Sequence, residues 1–240
     1  MGWKVSALIV NSDKRVDEKE LLSKLGFNQL KEIESKSFDE IMNPDDDEVY
    51  IGTHKGNLII CAQDFPTTFL NQVVLKGEKA LTSYFPNIEI CSILLHSVVN
   101  FWGYSISKNN EKIRVRGGSA ESGTFIEYGN PVEQELDLLS KSTENDGERL
   151  FSFEDDPDEV YTDDQVGENF VFEITKRYFN ESLDVNDELL ETELKGFSYQ
   201  NPTFNTVVKE EKKEQKWKKY LSIIIVIIIL QLLRKLFFSN

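Results

Sequence analysis

Asn100-Phe101-Trp102-Gly103-Tyr104-Ser105-Ile106-Ser107-Lys108-Asn109-Asn110-Glu111-Lys112-Ile113-Arg114-Val115-Arg116-Gly117 is two strand-like runs joined by a polar tetrad. Asn tolerates the left-handed backbone that a tight hairpin turn demands, so Lys108-Asn109-Asn110-Glu111 is a strong hairpin signal. Thr124 to Tyr128 supplies a third strand after the turn Glu121-Ser122-Gly123. A three-stranded meander needs more sheet around it to be stable.

That sheet is found upstream. Lys4-Val5-Ser6-Ala7-Leu8-Ile9-Val10 is mostly apolar and reads as a central strand. Val49–Thr53 and Asn57–Cys61 flank His54-Lys55-Gly56 as a second hairpin, and Ile88–Leu95 is another apolar run. Leu30 to Phe38 alternates weakly. Helices interrupt the strands. Asp17 to Leu25 places Leu21, Leu22 and Leu25 on one face, with Gly26 as the stop. A helical stretch is expected between Cys61 and Pro86, broken near Gly77, and a short helix from Pro131 through Leu139. From Gln165 to Phe179, the residues Val166, Phe170, Ile174 and Tyr178 make a helical stripe. The expected architecture is α+β: a mixed β-sheet with packed helices over residues 1–196, followed by a single C-terminal transmembrane helix. Residues 140–164 are polar and strongly acidic and read as a loop or flexible insert.

Residues 197–216 read as a linker and basic juxtamembrane segment, and 217–238 as a membrane anchor. Tyr220 to Leu233 is apolar on every face. As a helix it is about 21 Å long at ~1.5 Å rise per residue, short of a hydrocarbon core of ~30 Å. Lys218, Lys219, Arg234 and Lys235 extend the reach by laying their methylenes along lipid. Trp217 and Tyr220 would sit at one interface. Two rivals stay open. An interfacial helix needs a polar face that Ile223–Leu230 lacks. A buried strand suits the Ile-rich run but would leave Leu232, Leu233, Leu236, Phe237 and Phe238 over. Six basic residues from Lys209 to Lys219 precede the run and two follow it, so the N-terminal side is expected in the cytoplasm. The partner this implies is the lipid bilayer, at a bacterial inner membrane or, alternatively, a eukaryotic tail-anchored membrane.

The net charge of −15 is unevenly divided. From Lys209 onward eight Lys/Arg outnumber three Glu, and the remainder carries a balance of −20. So acidic a body argues against nucleic-acid binding. Cys61 and Cys91 lie in apolar strands and form neither a disulfide framework nor a C-x-x-C pair. His54 and His96 fall in no metal-binding pattern, and Asp45–Glu48 lacks the EF-hand spacing. No metal or cofactor is expected, and no catalytic motif is recognisable. The most ligand-like stretch is Arg114 and Arg116 followed by Gly117-Gly118-Ser119-Ala120-Glu121-Ser122-Gly123. It reads either as a half-exposed strand running into a hairpin turn, or as a small-anion site using Arg114, Arg116, Ser119 and Glu121. The leading expectation is a non-catalytic, tail-anchored interaction domain. The alternative is an anchored enzyme or anion-binding domain.

Met1–Leu8, Trp102-Gly103-Tyr104-Ser105-Ile106, Ser119–Gly123 and Val166-Gly167-Glu168-Asn169 resemble an uncharacterised bacterial domain family of unknown function. The likeness covers about residues 1–180. It implies a small bacterial cytosolic α/β domain and carries no catalytic residues with it.

Overall fold

The computed structural model describes residues 2–145 and 147–204. The expected anchor, its interfacial residues Trp217, Lys218, Lys219, Tyr220, Arg234 and Lys235, and the basic segment before it lie outside the described residues. Among the described residues no helix is long and apolar enough to cross a membrane.

Nine strands of the described residues form one sheet in the order β2-β12-β3-β4-β1-β5-β6-β7-β8. They are β1 (Lys4–Val10), β2 (Asn28–Ser37), β3 (Glu48–His54), β4 (Asn57–Ala62), β5 (Glu89–His96), β6 (Phe101–Lys108), β7 (Glu111–Ser119), β8 (Gly123–Tyr128) and β12 (Glu193–Gln200). The helices are α1 (Glu18–Lys24), α2 (Phe38–Ile41), α3 (Lys76–Tyr84), α4 (Glu133–Ser140), α5 (Asp163–Phe179) and α6 (Asp187–Leu190). This is the sheet-rich α+β domain expected from the sequence. Each ladder of the large sheet is antiparallel, where a mixed sheet was expected, because hairpins and returning strands rather than parallel crossovers connect it.

Alternation along β1 explains its apolar run. Val5, Ala7 and Ile9 face one core with Cys61, Cys91 and Ile93, covered by Val166, Phe170 and Ile174 of α5. Leu8 and Val10 face a second core with Leu58, Ile60 and Ile90, covered by Leu21 and Leu22 of α1, Leu81 of α3, and Phe65 and Phe69. A strand buried on both faces cannot afford a polar stripe. Its one hydroxyl, Ser6, donates to Ala62 O and Gln63 O.

The turns obey the backbone chemistry read from the sequence. Asn109 and Asn110 have φ of 53° and 63°, and Lys55 and Gly56 have 44° and 77°, so both hairpins close through left-handed pairs. Asp17 caps α1 by accepting from Glu20 N, and Gly26 at φ 98° ends that helix.

Two expectations need correction. The acidic stretch 140–164 is folded: β9 (Ser142–Asn145), β10 (Glu148–Phe153) and β11 (Asp156–Thr162) make a three-stranded antiparallel sheet. Phe151 of β10 is fully buried and meets Phe170 of α5 edge-on at 5.9 Å. One aromatic anchor therefore outweighs the charge around it. The domain also continues past 196. After the short α6, β12 runs to Gln200 between β2 and β3. Phe197 and Tyr199 are buried, and Phe204 packs 4.9 Å from Phe65 and 4.8 Å from Phe27. The compact unit ends at Phe204.

Candidate functional site

Arg114 and Arg116 alternate on β7 and face the same side of the sheet. Both are buried, 1% and 0% exposed, where the sequence allowed a half-exposed strand. A buried guanidinium is tolerated only when its charge and its N–H groups find partners. Arg114 finds them all. Nε donates to both oxygens of Glu135 at 3.1 and 3.0 Å. Nη2 donates to Glu135 at 2.7 Å and to Glu127 at 2.8 Å, and Nη1 to Gly129 O at 2.8 Å. Glu135 also accepts from Tyr104 Oη at 2.5 Å and from Val132 N at 2.8 Å, which caps α4.

Burial alone would lower the pKa of Arg114. The hydrogen bonds to Glu135 and Glu127 outweigh it and raise that pKa above the usual value. Burial, joined by the charge of Glu135, holds the Tyr104 phenol well above its ordinary range. Burial pushes the Glu127 carboxyl up, but the Arg114 hydrogen bond and the charges of Arg116, Arg149 and Arg114 bring it below the usual carboxylate value.

Arg116 is less well supplied. Nη2 donates to Asp163 Oδ1 at 2.5 Å, and Nε lies 3.8 Å from Glu127 Oε2. Among the described residues Nε and Nη1 meet no hydrogen-bond acceptor. The guanidinium carbon instead sits 4.1 Å from the Phe170 ring centroid and 5.3 Å from that of Trp102. Asp163, the first residue of α5, also accepts from Thr124 Oγ1 at 2.6 Å, and Arg149 of β10 lies 3.6 Å away. Arg114, Arg116 and Arg149 thus face Glu127, Glu135 and Asp163, a neutral set that ties α4, α5 and the small sheet to β7 and β8.

The four residues expected to share a site are only half brought together. Ser119 ends β7, where its Oγ accepts from Ser122 N at 3.2 Å, and Glu121 is exposed in the turn. Gly117 and Gly118 belong to the strand. They are glycines because neighbours cover them: a Cβ on Gly117 would stand 2.7 Å from Leu70, and on Gly118 2.9 Å from Trp102 Nε1. Glu127, Glu135, Asp163 and Arg149 were missed. Glu135 is legible only as an acidic residue in the first turn of α4, and Glu127 comes opposite Arg116 only because a bulge between Gly117 and Gly118 shifts the pairing by one residue.

Beside this network lies a cleft of about 570 Å³, lined by β8 from Gly123 to Glu127, by Glu144, Glu148 and Arg149 of the small sheet, and by the start of α5. Among the described residues no group of three or more His, Cys, Asp or Glu is arranged to hold a metal ion. His54, at the end of β3, bonds Thr192 Oγ1 through Nδ1 at 2.7 Å. Thr192 Oγ1 also lies 2.8 Å from Glu188 O.

Neither curated proteins nor solved structures give a match to the chain. A family match covers the meander and the turn Ser119–Gly123, while Met1–Leu8 and Val166–Asn169 fall outside it. Residues 14–144, more than half of the chain, match a family of unknown function (DUF6928), and the chain belongs to that family.

Proposed function

We propose that the chain is a non-catalytic, membrane-anchored module, tail-anchored through 217–238, whose N-terminal domain binds a protein partner at the cytoplasmic face of a membrane. The observation that carries this reading is the run Tyr220–Leu233, apolar on every face and bordered by Trp217, Lys218, Lys219, Arg234 and Lys235. The site chemistry supports it from the other side. Every N–H of Arg114 is already bonded, and Glu135 accepts from three donors, so these groups act as fasteners and are not poised to react. Fractionation without detergent tests the anchor. The full chain is expected with the membranes, and a chain lacking 217–240 in the supernatant. A full chain that stays soluble would defeat the proposal.

One observation favours the alternative, an anchored enzyme or small-anion-binding domain. Arg116 Nε and Nη1 are buried donors without acceptors, and such groups often wait for a water or ion. Phosphate, sulfate and a panel of carboxylates, each added to the full chain in a thermal-shift series, separate the readings. Stabilisation that disappears in Arg116→Lys supports the anion site.

A further inference from the structure

We propose that the cleft beside β8 takes an extended, lysine- or arginine-bearing segment of a protein partner as an added strand. The inference rests on the interaction-module reading and names the partner's chemistry. β8 is the last strand of the large sheet and pairs only with β7, so its outward N–H and C=O groups meet no strand among the described residues. Such an edge is a template for another chain unless it is guarded. The opposite edge, β2, is guarded by Lys31, Glu32, Glu34 and Lys36. β8 reads Gly-Thr-Phe-Ile-Glu-Tyr, and the carboxylate of its single charged residue, Glu127, is held by Arg114 and Arg149.

The cleft of about 570 Å³ is lined by this strand from Gly123 to Glu127, a size within the range of binding clefts. Its far wall is acidic. Arg149 lies opposite Glu144 in the β9–β10 ladder but turns instead to Glu127 at 3.3 Å and Asp163 at 3.6 Å. Glu144 and the exposed Glu148 are left without a cation among the described residues. On β8 itself Phe125 is 47% exposed and stacks on Phe101 at 6.0 Å, and Tyr128 is 42% exposed. Side chains of an added strand alternate between faces. Its Lys or Arg would meet Glu144 and Glu148, which both line the cleft, and its apolar groups would rest on Phe125. A nucleic acid, or the acidic body of a second copy with its balance of −20, would bring more negative charge to this wall, which argues against both as the occupant.

The test uses the full-length protein in neutral detergent and a fluorescent alternating lysine–valine octapeptide, read by anisotropy. Saturable binding is expected that weakens as salt rises. The paired charge reversal Glu144→Lys with Glu148→Lys, at two exposed positions, should lower affinity about tenfold or more while admitting a glutamate–valine octapeptide. An octapeptide N-methylated at every residue has no backbone N–H to offer the edge of β8 and should not bind. Equal binding of the N-methylated peptide, unchanged affinity after charge reversal, or no binding of any peptide would each overturn the proposal. The anchor is judged separately. Deleting 217–240 changes fractionation whatever the peptide does, so the two readings fail independently.

Discussion

Trp102 of β6 lies in the hollow left by Gly167 of α5: a Cβ at 167 would stand 2.1 Å from both Cδ1 and Nε1 of the indole. Helix and sheet approach that closely only because one residue has no side chain. Trp102 is 1% exposed and has no room to retreat. Gly167→Ala, ordinarily worth about 1 kcal/mol of gain inside a helix, should instead destabilise by about 1–3 kcal/mol through overpacking. Thermal denaturation followed by tryptophan fluorescence checks this, and a variant as stable as the parent would refute the contact.

Glu135 is the second test. Its removal leaves Arg114 and Tyr104 buried beside an empty space. Glu135→Ala should cost about 3–5 kcal/mol, the usual penalty for breaking a buried ion pair from one side. Arg114→Met in the same chain should recover a large part of that loss. Urea unfolding of both variants measures it, and an additive double variant would count against the pairing.

Acid sensitivity should report on His54. Burial, the largest cause, and the charge of Lys55 lower its pKa, against an opposing pull from Glu188. A histidine with a depressed folded pKa contributes stability that is fully present above its unfolded value of about 6.5 and lost as pH falls toward its folded value. The difference in stability between the parent and His54→Phe should therefore change across the interval below about pH 6.5 and be flat above it. A constant difference through that interval would show that the ring does not titrate there.

The thiols should be silent in the native state. Burial pushes the Cys91 thiol up to about 12 and raises Cys61 too, and both are fully enclosed. Alkylation by iodoacetamide requires thiolate and access. It should therefore follow the rate of global unfolding, with both cysteines modified together. Rapid labelling of either one under native conditions would contradict the packing.

Much of the scaffold was legible because local chemistry and tertiary need agreed. Asn109 and Asn110 name their own turn, the stripe Val166, Phe170, Ile174 names the buried face of α5, and the unbroken run of β1 names a strand covered on both sides. The illegible parts depend on distant partners. Nothing near Phe151 says that Phe170 will receive it. Arg114 and Arg116 alternate with apolar residues as an exposed strand would, because a charge neutralised by Glu135 or Asp163 leaves the same local pattern as one in water. The clashes that make Gly118 a glycine lie on the neighbouring strands, at Gly123 O and at Trp102, so its adjacent residues in the sequence suggested a loop.

The place of β12 has a consequence for how the protein is made. Among the described residues β2 has β12 as its neighbour in the sheet and no other, and β12 is the last of the described strands in the order of synthesis. A nascent chain emerges with β2 unpaired and β3 open on one side, and it stays so until Gln200 has left the ribosome. The large sheet closes on its own beginning only at the end of the domain's translation. A chain cut at residue 144 or 180 would lack the strand that joins its first edge to its centre.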